Sequence, residues 1–183
     1  MADFASAPQR YTQLTLDPEW APYAFGVVLA TLVQYMVINF MGGKHRGFFS
    51  KELMQEHFGG EHEKISGKSV PKGGYPDCGN GLHSLKLSYG EWFQFNLAQR
   101  NAKNYLENIT GFCFSLGVIA LVWPRVAFLL GVSQFVCRAG FLLTYSKAPA
   151  MRIYFAPQMM LSMFASYLVA AAACVHWIRA LPQ

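Results

Sequence analysis

Apolar residues gather along this chain in four long stretches separated by polar connections, not in the short alternating runs typical of strands. Ala21 to Gly43 carries no charge in 23 residues. Asn108 to Trp123 is uncharged and shorter, but its helical pattern runs back to about Glu91. Val126 to Ser146 is apolar except for Arg138, and Ile153 to Ile178 is 26 residues without charge, counting His176 as neutral. A bilayer crossing takes roughly 20 mostly apolar residues. The pattern therefore predicts an all-α integral membrane four-helix bundle, one domain over 1–183, with spans at about 20–43, 91–123, 125–146 and 153–179. The connection 44–90 is long, and Phe49 to Phe58 within it reads as a short amphipathic helix closed by Gly59-Gly60. Its Phe48, Phe49, Leu53 and Met54 are expected to rest on the headgroup layer. The following cluster (Pro71, Gly73, Gly74, Pro76, Gly79, Gly81) reads as loop, and His57 and His62 as part of a solvated polar stretch, not a metal site. The first 20 residues are polar, with Asp3, Arg10, Asp17 and Glu19, so no cleavable leader is expected and the first span serves as signal anchor.

Composition agrees with this pattern. Of the 183 residues, 53% are hydrophobic and only 14% charged, against about 25% charged in soluble domains. That excludes a disordered tail or a nucleic-acid arm. The net charge of +5 is what a membrane protein uses for orientation and for anionic headgroups. Lys44, Arg46, Lys51, Lys64, Lys68, Lys72 and Lys86 lie in the first connection, with Arg100 and Lys103 at the base of the second span and Lys147 and Arg152 in the third connection. The opposite side has only Arg10, Arg125 and Arg179. Both termini are expected on the lumenal or outer face. Cys78, Cys113, Cys137 and Cys174 form no CxxC pair and read as thiols without a disulfide framework or zinc.

Charge inside a span is expensive unless paired or wetted. Glu107, the only acid after Glu91, ends a helical stripe of Asn96, Arg100, Lys103 and Asn104. Arg138 lies in the third span, seven residues before Tyr145. Counted from the turn at Trp123-Pro124-Arg125 at about 1.5 Å per residue, Glu107 and Arg138 come out at roughly 24 and 20 Å, and Asn104 and Tyr145 at roughly 28 and 30 Å. The expectation is a polar pocket in the bundle, open to the basic side, in which Glu107 meets Arg138 and Asn104 meets Tyr145. With one acid facing several cations, it suits a small ligand bearing carboxylates, or else a structural ion pair.

Phe95 to Glu107, FNLAQRNAKNYLE, resembles the signature of the membrane-associated proteins in eicosanoid and glutathione metabolism, most like the third type of microsomal glutathione transferase. Phe95, Asn96, Gln99, Arg100, Asn104, Leu106 and Glu107 match. Tyr75-Pro76, Pro124-Arg125 and the Arg138–Tyr145 spacing also fall where that family has them. The resemblance covers about Glu19 to Ile178, with an apparent insertion around Phe48 to Gly74. It implies a trimer of four-helix protomers, with glutathione as co-substrate bound between neighbours near the cytosolic side. Arg100, Lys103, Asn104 and Glu107 would hold the peptide, Arg138 and Tyr145 would approach from the third span, and Arg152 would stabilise the thiolate. Asn101-Ala102, Gly111, Phe141 and Leu143 depart from the family pattern.

The resemblance implies a glutathione-dependent transferase or peroxidase acting on lipophilic electrophiles or lipid hydroperoxides, in the endoplasmic reticulum or a mitochondrial membrane. The alternative is a non-catalytic scaffold or an accessory subunit of a larger membrane complex, with 44–90 as docking surface. A transporter has little support, because no internal repeat or broken span is visible. Ser162, Ala165, Ser166, Val169, Ala170 and Ala173 form a small-residue stripe suited to close helix packing, between protomers or within one.

Overall fold

The structure is a computed structural model that describes residues 16–145 and 147–180. The leader reading on residues 1–15 and the end of the third span at Ser146 lie outside the described residues. The described residues form five α-helices: α1 (Ala21–Gly43), α2 (Lys51–Ser66), α3 (Tyr89–Val122), α4 (Pro124–Tyr145) and α5 (Arg152–Ala180). Four of them, α1, α3, α4 and α5, are long and apolar enough to cross a membrane, the architecture of a multi-pass membrane protein. The described residues contain no strand.

Local chemistry sets where each helix begins. Asp17 accepts hydrogen bonds from the Glu19 and Trp20 amides (2.9 and 3.2 Å), and Pro22 occupies the first turn of α1. Ser88 and Glu91 form a reciprocal cap at the start of α3, the Glu91 carboxylate accepting from the Ser88 amide at 3.1 Å. Pro124 opens α4 directly after Trp123, so α3 and α4 form a tight hairpin.

The bundle runs up, down, up, down. At one end Trp20 meets Phe128 edge-on (5.9 Å), Arg125 lies over the Trp20 ring (5.2 Å), and Trp123 faces His176 (5.6 Å). The start of α1 and the end of α5 therefore share one face, and an aromatic cluster marks it, as at membrane interfaces. Helices α3 and α4 each pack against the other three long helices, with α1 and α5 on opposite flanks. Gly131 on α4 permits that closeness: a Cβ there would meet Val27 at 2.5 Å and Leu116 at 3.2 Å. The small-residue stripe of α5 packs within the protomer, with Ser162, Ser166, Ala170 and Ala173 buried in the bundle. Away from the Arg100–Glu107 stretch of α3, the outward faces are apolar, with Phe40, Phe114 and Leu168 exposed, as a lipid-facing surface requires.

The first connection differs from expectation in two ways. Helix α2 does not stop at Gly59-Gly60 but continues to Ser66 and ends at Gly67, whose φ of 69° is the left-handed stop. The two glycines together cost the helix about 2 kcal/mol, and the burial of Met54, with Leu53 and Phe58 packed against the same cluster, works against that cost. Nor do Phe49 and Met54 lie on headgroups. Both are fully buried with Val70, Leu87 and Phe95, and the Phe49 and Phe95 rings meet edge-on at 4.9 Å. The connection is thus a small folded cap seated on the base of α3.

Asp77 organises the loop that follows. It accepts from the Gly79 amide (2.8 Å) and the Ser84 amide (3.2 Å), and the Ser84 hydroxyl also bonds to it. The Gly79 carbonyl in turn accepts from Trp92 Nε1 (2.7 Å) and Asn96 Nδ2 (3.2 Å), tying the loop to α3. Partial burial alone would raise the Asp77 pKa, but these donors outweigh it and hold the carboxyl below its usual value of 3.8. A lowered folded pKa means the carboxylate stabilises the loop above pH 3.8 and that this stabilisation is lost as pH falls through the folded value. Asp77→Asn should accelerate hydrogen exchange at the Gly79 and Ser84 amides near neutral pH. The wild-type protein should approach the variant's behaviour only once the pH falls below that usual value, and a difference that persists in strong acid would remove Asp77 from this role.

Candidate functional site

The buried face of α3 carries Phe95, Asn101, Tyr105, Ile109, Phe112, Leu116 and Ile119. Tyr105 is its polar centre. Its hydroxyl lies 2.7 Å from Gln34 Oε1 and 3.0 Å from the Thr31 carbonyl, one hydrogen serving two acceptors. Gln34 then donates from Nε2 to the Phe135 carbonyl at 3.1 Å, so a single chain of polar contacts links α1, α3 and α4. Hydrogen bonds of this kind hold helices together where apolar surface has no water to avoid.

Arg138 sits on top of this network. It is only 2% exposed, and its guanidinium carbon lies 4.6 Å from the centre of the Tyr105 ring and 5.7 Å from that of Phe141. Aromatic faces attract a cation by about 2 kcal/mol or more when water is excluded, less than the several kcal/mol that desolvating an ion costs. Arg138 Nη1 has no hydrogen-bond partner among the described residues, and neither has the buried Gln134 Oε1 one turn earlier. Both residues line a cavity of about 140 Å³ between α3, α4 and α5, together with Asn104, Asn108, Phe141 and a wall of Met159, Met160 and Met163. One free donor and one free acceptor on a soft apolar wall can take a ligand bearing a carboxylate and an N–H group.

Of the residues singled out from sequence, the structure brings Arg138 and Asn104 to this cavity and leaves Tyr145 outside it, two turns beyond Arg138 on α4. Tyr145 is buried, stacked on Phe141 with ring centres 5.0 Å apart, in an apolar cluster with Met159. Arg100, Lys103, Asn104 and Glu107 are exposed on α3, and Arg152 is exposed at the start of α5. The expected pairing of Glu107 with Arg138 does not occur within the protomer: the ion pair among the described residues is Arg125–Glu19 at 3.7 Å, and both of its partners are largely exposed. Helical rise sets the two residues at one level but does not fix their direction around the helix axis. Asn108 turns toward α4 and Glu107 turns out. Gly111, a departure from the family pattern, gives α5 room, since a Cβ there would meet the Tyr167 hydroxyl at 2.7 Å.

Sequence reasoning missed Thr31, Gln34, Asn101, Tyr105 and Gln134. The available signal was two glutamines inside otherwise apolar spans, one of them a helical turn before Arg138.

Tyr105→Phe keeps both ring contacts of Arg138 but strands Gln34 Oε1 without a donor. It should lower stability by about 1–3 kcal/mol in reversible unfolding from mixed micelles. Arg138→Met, by contrast, should unfold no earlier than wild type, because a buried charge without a full set of partners is commonly replaced by an apolar residue at no loss. No family model, no curated protein and no solved structure matches this chain.

Proposed function

We propose that this chain is a membrane-embedded, glutathione-dependent transferase or peroxidase for lipophilic electrophiles or lipid hydroperoxides, assembled as a trimer in the endoplasmic reticulum or a mitochondrial membrane. The observation that carries the reading is the buried Nη1 of Arg138, which has no hydrogen-bond partner among the described residues, in a side chain that lines a cavity together with Asn104 and Gln134. A carboxylate of glutathione completes Arg138, and an amide or ammonium N–H completes Gln134.

The exposed stripe supports assembly. Glu107 lies roughly 24 Å from the Trp123 turn by helical rise, inside a hydrocarbon core about 30 Å thick. A carboxylate facing lipid at depth costs several kcal/mol unless covered. A neighbouring protomer over α3 would cover it, and would close Arg100, Lys103, Asn104 and Glu107 around the peptide. Arg152, at the basic end, is the group assigned to the sulfur. A nearby guanidinium lowers a thiol pKa, each unit corresponding to about 1.4 kcal/mol of thiolate preference. The thiolate attacks the electrophilic carbon, forming a C–S bond as the leaving group departs with its electron pair. With a hydroperoxide, two glutathiones are oxidised to the disulfide and the substrate leaves as alcohol and water.

A second reading keeps glutathione or lipid binding without turnover, in a scaffold or an accessory subunit. It is favoured by Phe141, which offers Arg138 a ring face and no hydroxyl, and by the exposure of Arg152 in the protomer.

Glutathione titrated onto the detergent-solubilised protein should bind with formation of the ultraviolet thiolate band. Arg138→Met and Glu107→Gln should each weaken binding by tenfold or more, since removing one partner of a buried charge pair costs about 3–5 kcal/mol. Arg152→Leu should abolish the thiolate band and slow conjugation of a chlorodinitrobenzene while affinity stays within a few fold. Binding without a thiolate band in wild type selects the scaffold reading, and no binding at all refutes both glutathione readings.

A further inference from the structure

A second cavity, of about 330 Å³, opens between α1, α3 and α4 at the end of the bundle away from the Trp20–Trp123 aromatic cluster. It is separate from the Arg138 cavity and shares none of its lining residues. Its size falls within the roughly 300–1,000 Å³ of small-molecule sites. Ile38, Met41, Leu97 and Leu142 form apolar walls, while Lys44 and His45 stand at its mouth. His45 is oriented by its Nδ1, which lies 3.4 Å from the Gly42 carbonyl.

The floor holds Asn101. It is only 3% exposed, and its side-chain oxygen is buried with no hydrogen-bond partner. Leaving a buried amide oxygen unmet costs about 1–3 kcal/mol. The position of the cavity is equally specific. By helical rise, Asn101 lies roughly 33 Å from the Trp123 turn and Gly42 about as far from Trp20, whereas Ile38 comes out near 27 Å. With a hydrocarbon core about 30 Å thick, the apolar walls reach into acyl chains and the cationic mouth lies among headgroups, on the side where the basic residues collect.

These features set three conditions on an occupant: an acyl chain for the walls, an anion for Lys44 and His45, and a hydrogen-bond donor for Asn101. A bare phosphate or carboxylate meets the second condition only. A choline headgroup brings a second cation toward Lys44 and has no donor. We propose that this cavity binds an anionic glycerophospholipid whose headgroup also carries a donor, such as a glycerol, inositol or serine group. The phosphate sits between Lys44 and His45, the headgroup donor reaches Asn101, and one acyl chain lies along Ile38 and Leu142. The site rests on the membrane-spanning architecture and is independent of the glutathione reading.

The test uses the full chain in neutral detergent, titrated with dioctanoyl phosphatidylglycerol and dioctanoyl phosphatidylcholine and followed by native mass spectrometry and thermal shift. The phosphatidylglycerol should bind about tenfold or more tighter, the equivalent of ~1.4 kcal/mol. Lys44→Gln combined with His45→Gln should bring it down to the phosphatidylcholine level. Asn101→Leu should cost a comparable factor, and Asn101→Ala, with less volume change, serves if the leucine variant does not fold. Glutathione should not compete. Equal binding of the two lipids, or phosphatidylglycerol binding that survives both the Lys44/His45 and the Asn101 changes, would overturn the proposal. Displacement by soluble glycerophosphoglycerol at equal concentration would also overturn it, because the walls would then contribute nothing and the site would be one for a free anion.

Discussion

A guanidinium that cannot reach water has to be met by something, and in this bundle Arg138 imposes that condition on everything around it. Its charge is spread over the faces of Tyr105 and Phe141, so those two rings must be placed with some care. Tyr105 is fixed by its hydroxyl, which is held between Thr31 and Gln34, and Gln34 is fixed in turn by the Phe135 carbonyl on the helix that carries Arg138. The loop of contacts closes on itself through α1, α3 and α4. Close packing at small residues such as Gly131 and Gly111 restricts the helices further. Polar contacts with direction add to that restriction.

Closing the loop satisfies the ring faces and leaves the edge of the guanidinium free. Ring faces compensate a cation without using its N–H groups, which is why Arg138 is both buried and chemically available. The same is true on a smaller scale of Gln134 and Asn101, residues that line the two cavities and whose side-chain oxygens are buried without a hydrogen-bond partner among the described residues. Unmet polar groups at these places give each cavity a chemical preference, an anion with an N–H group for one and a donor-bearing headgroup for the other. The flexible methionine wall beside Arg138 can adapt to ligands of varied shape.

Helix α3 organises both ends of the molecule. Its buried face makes the core, and its polar stripe from Arg100 to Glu107 faces outward in the protomer. Its base carries the folded cap formed by α2 and the Asp77 loop. A stripe of charge on the lipid-facing side of a span is a cost that an oligomer or a ligand removes, and this links the glutathione reading to assembly.

The four spans were legible in the sequence because twenty-odd uncharged residues leave few alternatives, and because Pro124 and the Ser88–Glu91 pair mark helix starts by local chemistry alone. The importance of Arg138 was legible for the same reason, as the lone charge between Val126 and Ser146. The direction of each side chain was not. Helical rise gives depth from a count of residues, but rotation about the axis depends on which neighbours a helix finds. Glu107 and Asn108, adjacent in sequence, therefore turn to different surroundings, and Arg138 meets the ring of Tyr105 in place of the predicted acid. The cap over α3 was hidden too. Phe49 and Met54 look like membrane-facing apolar residues until Val70 and Leu87, distant in sequence, are folded over them. Composition and periodicity determined which segments are helices and which of them can cross a membrane. Only the packing of α1 and α4 against α3 decided which polar groups are buried, and which of those are left for a ligand.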